Sequence, residues 1–150
     1  MKVTYNNIIS KLDAFCQSHY QVNEFNNGDL WEAIQNNSFN DFLYPLVFLV
    51  DAGGNLEEGA INLSFDILCM DLVDKGENNE NDVKSDTLQI LLDVVAYLEK
   101  LNTGDWYYVQ ILKNNSLESF TERFDDELTR WKINITLKQP NTYNECQIPK

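Results

Sequence analysis

The segment INLSFDILCMDL, residues 61–72, constrains the fold of this chain more than any other. It opens in strict alternation: Ile61, Leu63, Phe65, Ile67 and Cys69 fall on one side, and Asn62, Ser64 and Asp66 on the other. A period of two marks a β-strand with one buried and one wet face. Beyond Leu68 the second side turns apolar as well, through Leu68, Met70 and Leu72. Such a strand needs a sheet covered on one face along its length and on the other face at one end. A helix of the same domain or a neighbouring subunit would supply the second cover.

The neighbouring segments supply partners for that strand. Residues 43–51 read as a buried strand, and AGGNLEEG after them reads as a Gly-rich hairpin turn, with Gly53 and Gly54 in the turn. After the polar, acidic stretch DKGENNENDVKSD, helical spacing takes over. Val83, Thr87, Ile90, Leu91, Val94, Val95, Leu98 and Leu101 form one wide stripe, with Asp82 or Ser85 as the expected cap and Asn102-Thr103-Gly104 as the stop. DWYYVQIL reads as the next strand. Near the N-terminus, Tyr5, Ile8, Ile9, Leu12, Phe15, Cys16 and His19 recur at helical spacing behind Thr4, a plausible N-cap. NEFNNGD breaks the chain, and DLWEAIQNN reads as a short helix capped by Asp29.

The stretch SLESFTERFDDELTRWKINITLKQP, residues 116–140, admits two readings. Its carboxylates could be a cluster for a metal or for acid–base work. Alternatively, Phe120 and Phe124 alternate with Glu122, and Trp131, Ile133, Ile135 and Leu137 alternate with Lys132, Asn134 and Thr136. Two period-two runs on either side of DDEL are a hairpin signature, and Asp125-Asp126 suit its turn. Three adjacent acidic residues on a turn rarely face one ion, so the hairpin reading is preferred.

Charge and residue types then exclude classes of function. The formal net charge is −13, which opposes a grip on nucleic acid, because neutralising phosphates requires clustered Lys and Arg. The longest apolar run, LYPLVFLV, is far short of the ~20 residues of a spanning helix. The start of the chain has no uninterrupted apolar signal core, so a soluble protein of a reducing interior is expected. Cys16, Cys69 and Cys146 are scattered, without CxxC spacing, and His19 is the single histidine. That set is too sparse for zinc, and a Cys16–His19 nucleophile pair has no further support. Phosphate-loop, dinucleotide, nucleophile-elbow and zinc-protease motifs are missing. Four Asn-x-Ser/Thr triplets, at Asn36, Asn62, Asn114 and Asn134, are read as products of an Asn-rich composition. No enzyme activity, cofactor or metal is expected.

The expected fold class is therefore α+β: an antiparallel or mixed sheet of long hairpins, with one long helix and an N-terminal helix packed on it. The chain reads as a single domain, 1–150. It divides into a helical N-terminal region (1–40), the sheet and long helix (41–139), and a C-terminal tail (140–150).

Residues 44–149 resemble small neck and tail ring proteins of crAss-like tailed bacteriophages, which are similar to tail terminator and head-to-tail completion proteins. The likeness is carried by a strand ending in MDL, the SDTLQIL helix, the FTERFDDEL…W hairpin and a terminal C-x-IP. It implies a virion structural protein, found in the host cytoplasm during assembly. Its partners would be further copies in a homo-oligomeric ring and adjoining neck, portal or tail tube proteins, with no sequence-specific nucleic acid binding and no membrane. Twelve copies are favoured and six are the alternative. A strongly acidic subunit suits the wall of a DNA channel, since like charge lowers sticking. The acidic segment 74–86 is a candidate for the lumen or for a basic neighbour. Candidate interface residues are Glu57 and Glu58 on the first hairpin, and Phe120, Glu122, Arg123, Asp125, Asp126 and Arg130 on the last. The competing reading is an acidic adaptor or inhibitor that binds a basic protein.

Overall fold

The computed structural model describes residues 3–29, 42–73, 79–123 and 127–141. Helix α1, Tyr5–Ser18, begins where expected. The Thr4 hydroxyl accepts from the Asn7 backbone N–H, and the Asn7 side chain accepts from the Thr4 N–H, closing a capping box. Ile8, Leu12 and Cys16 form its buried face. The predicted short helix after Asp29 falls on 30–37, outside the described residues.

Strands β1 (Glu24–Asn27), β2 (Leu46–Glu57) and β3 (Ala60–Leu72) come next, followed by helix α2 (Glu80–Asn102) and strands β4 (Gln110–Arg123) and β5 (Glu127–Pro140). They form one sheet in the order β1-β2-β3-β5-β4. β1 lies parallel to β2, and every other neighbouring pair is antiparallel. β4 therefore runs parallel to β3 with β5 between them, and antiparallel to β2. The architecture is the expected α+β, a mixed sheet of long hairpins with both helices on one face.

Several local readings are corrected. The first hairpin turns at Glu58-Gly59, where Glu57 pairs with Ala60 and Gly59 takes a φ of +76°. Gly53 and Gly54 lie inside β2, at a bulge between Asp51 and Gly54. The reason is contact distance: a Cβ on Gly54 would sit 2.1 Å from the Asn62 carbonyl oxygen, so only glycine lets the two strands close there. DWYYVQIL is not one strand. Residues 103–108 form turns, Trp106 is buried, and β4 starts at Gln110. The two strands expected between residues 106 and 124 are a single strand of 14 residues, with a register shift between Lys113 and Leu117. The acidic segment 74–86 is not all loop, because α2 already starts at Glu80. Its Val83 is buried, so its N–H must enter the helix and donates to the Asn79 carbonyl. Ser85 bonds back to Asn81 and caps nothing.

All eight residues of the predicted α2 stripe are buried. Ile90, Leu91, Val94, Val95, Leu98 and Leu101 of the stripe pack with Val47, Leu49, Phe65, Ile67, Cys69, Ile133, Ile135 and Leu137 from the sheet and with the buried face of α1. The opposite sheet face carries a second, smaller cluster of Leu46, Phe48, Leu68, Met70 and Leu128, flanked by Phe42, Tyr44 and Val50. This is the doubly apolar end foreseen at residues 68–72. Leu68 and Met70 are buried within one chain, so no neighbouring subunit is needed to cover them. Gln139, 2% exposed, pins the start of the chain to β5: its amide accepts from the Val3 N–H at 2.7 Å and donates to the Val3 carbonyl at 2.8 Å.

Candidate assembly surface

Away from the second cluster, the helix-free face is a polar ladder running across the strands. Lys132 lies 3.6 Å from Asp66 and 3.8 Å from Glu118, and Asn134 donates to Asp66 at 3.0 Å. Ser64 and Thr136 share a hydrogen bond of 2.9 Å. Nearest the turn, Lys138 pairs with Glu57 at 2.9 Å, and the Asn62 amide donates to both Asn55 and Glu57. The rungs pair charges or dipoles between strands, although the buried Asn62 Oδ1 has no hydrogen-bond partner among the described residues.

The candidate interface residues divide accordingly. Glu57 is tied into the ladder: hydrogen bonds from Lys138 and Asn62 hold its carboxyl below the ordinary glutamate range. Glu58 stands exposed in the turn. Phe120 and Glu122 pair in register with Arg130 and Leu128, and Arg123 pairs with Glu127 at the far end of the last hairpin. Asp125 and Asp126 lie outside the described residues. Arg130 is 6% exposed, so within a single chain it is an interior side chain and not part of an outer surface. The first and last hairpins point to opposite ends of the sheet, because Ala60 pairs with Pro140 whereas Leu72 pairs with Leu128.

What distinguishes the molecular surface is its edges. β1 covers β2 only along Leu46 to Leu49. Among the described residues, the outer side of β2 from 50 to 57 has no strand beside it, nor does the outer side of β4. The first of these edges borders a groove of about 400 Å³ floored by Gly54, Leu56, Ile61 and Leu63. Leu56 there is 73% exposed. Sequence reasoning placed the exposed Glu57 and Glu58 but missed Gly54 and the groove. The Gly-Gly pair inside an apolar run was the available signal, since glycine within a strand marks a bulge.

His19 Nδ1 accepts from the Gln21 N–H, which leaves the proton on Nε2 to reach Asp93 at 2.9 Å. Cys16 belongs to the core, and burial pushes its thiol up to about 12. Burial and the nearby Asp71 carboxylate raise Cys69 as well. Both thiols stay protonated at neutral pH and are poor nucleophiles. Among the described residues, no group of three His, Cys, Asp or Glu side chains could hold a metal ion, and no helix is long and apolar enough to cross a membrane.

Asp71 gives a pH-dependent test of this packing. Burial raises its carboxyl above the ordinary aspartate range; a hydrogen bond from the Leu72 N–H opposes the shift, and Asp86 adds to it. A carboxyl raised by folding contributes stability below its unfolded pKa that is lost as pH rises through the folded value. Asp71→Asn keeps an acceptor for Leu72 without the charge. We expect this variant to be more stable than the parent at neutral pH, with the difference closing below pH ~3.9, the ordinary aspartate value. Denaturant melts across that range measure it.

No protein-family model matches the chain, and no curated protein matches it in sequence.

Proposed function

We propose that this chain is a virion structural protein, a subunit of a ring in the neck or tail of a tailed bacteriophage, of the tail terminator or head-to-tail completion kind. Such a subunit joins neighbouring rings and surrounds the DNA channel. The observation that carries the reading is a pair of edges with no strand beside them among the described residues, β4 on one side and the outer half of β2 on the other. Exposed strand edges are normally blunted or covered. Two different edges on opposite sides suit head-to-tail association, which makes a ring when the rotation between successive copies closes. The polar ladder and the net charge of −13 suit a surface that lets DNA pass without holding it. The resemblance of the MDL strand, the SDTLQIL helix and the FTERFDDEL hairpin to phage ring proteins supports the same reading.

Glu58 tests it with little risk to the fold, because the residue is exposed in a two-residue turn. If the ring contact reaches the turn of the first hairpin, Glu58→Lys disturbs ring formation in sedimentation velocity while the melting curve of the monomer stays within about 0.5 kcal/mol of the parent. An unaltered ring places Glu58 outside the contact.

A further inference from the structure

The rows of the sheet put opposite charges at the same level on the two edges that have no strand beside them among the described residues. One row runs Asp51–Phe65–Ile135–Lys113. Toward the Glu58-Gly59 turn the next aligned rows are Gly54–Leu63–Leu137–Ile111 and Asn55–Asn62–Lys138–Gln110. Asp51 and Lys113 therefore end one row of the sheet at opposite edges.

Strand direction adds a second condition. Because β4 is antiparallel to β2, a second copy set beside the first in the same orientation brings its β4 antiparallel to the outer edge of β2. That is the arrangement of every neighbouring pair from β2 to β4 within the chain. Charge supplies a third. Residues 50–58 carry Asp51, Glu57 and Glu58 and no Lys or Arg, whereas residues 110–116 carry Lys113 and no acid. Two β2 edges meeting about a two-fold axis would oppose like charges, which is destabilising across strands. Shape supplies a fourth: the β2 edge offers the groove over Gly54, and the aligned position on β4 is the half-buried Ile111.

We propose that copies of this chain associate by antiparallel pairing of residues 110–113 of one copy with residues 51–55 of the next, Lys113 beside Asp51 and Ile111 over Gly54. The contact stops there because the register of β4 shifts after Lys113, which breaks the row-to-row alignment. This inference rests on the ring reading and names the contact that builds the ring. It places the second face at the start of β4, at the level of the first hairpin, and not at the far hairpin around Phe120 and Arg130.

The test uses the full chain with Cys146→Ser, so that the two remaining native thiols are the buried Cys16 and Cys69. Asp51→Cys and Lys113→Cys variants are oxidised separately, mixed, and combined in one chain. The mixture should give a disulfide-linked dimer, each variant alone should give none, and the doubly substituted chain should give a ladder. In parallel, Asp51→Lys should weaken association about tenfold or more, and adding Lys113→Asp should restore it. Dimers formed by either single variant alone would show a two-fold contact and overturn the proposal. A closed oligomer in which no 51–113 bond forms would overturn this contact and leave the ring reading intact. Absence of the chain from the assembled particle would overturn the ring reading itself, and this contact with it.

Discussion

Leu91→Ala will lower the unfolding free energy by about 3 kcal/mol, within the ~2–5 kcal/mol spanned by buried Leu truncations, while Leu92→Ala one position along will change it by less than about 0.5 kcal/mol. Leu91 is 0% exposed in the main core and Leu92 is 43% exposed on the solvent side of the same helix. Alanine is the best helix former, so neither change penalises the helix itself. The difference reports burial alone, as a cavity against an open surface. Urea unfolding of both variants measures it. Equal effects would mean that α2 does not lie on the sheet in the orientation described.

Gln139→Leu is expected to cost about 2–4 kcal/mol, although it replaces a polar side chain by an apolar one of similar size. The two hydrogen bonds from Gln139 satisfy both the N–H and the carbonyl of Val3, in a buried site. Leucine leaves both backbone groups without those partners, and an unmet buried group costs about 1–3 kcal/mol. The loss should be accompanied by faster amide exchange at Val3 and in the first turn of α1, because Gln139 ties that segment to β5. A neutral or stabilising result would show that water satisfies Val3 and that the start of the chain is not held by the sheet.

Which features were legible in the sequence follows from the range of the forces involved. The α2 stripe from Val83 to Leu101 and the Thr4 cap are local patterns, and each appears in the structure as read. The last hairpin was legible because Trp131, Ile133, Ile135 and Leu137 alternate without interruption; its partner strand was not seen whole, because KNNS in the middle of β4 is polar and takes up the register shift. β1 left no pattern in EFNN. It exists because β2 offers a free edge there, with Phe25 packed against the core, and that is long-range information. The Gly53-Gly54 pair was read as a turn because glycine marks both turns and bulges; the close approach of Asn62 decides between them. The interface residues were chosen for charge and for position on hairpins. Such a choice cannot separate Glu58, exposed in the turn, from Arg130, buried within the chain.

The edges, by contrast, emerge only once strand order is known. Neither the pairing of Asp51 and Lys113 at the ends of one row nor the opposite directions of β2 and β4 can be read along the chain. Both depend on β5 inserting between β3 and β4.

The most direct measurement of the ring reading is the copy number of this chain in isolated neck or tail assemblies, by native mass spectrometry. The expected result is a closed ring of identical subunits, about twelve copies, with about six as the alternative. Absence of the chain from those assemblies, or its presence as an isolated single copy, contradicts the ring reading. A monomer that binds one cationic protein in a salt-sensitive way would then favour the acidic adaptor.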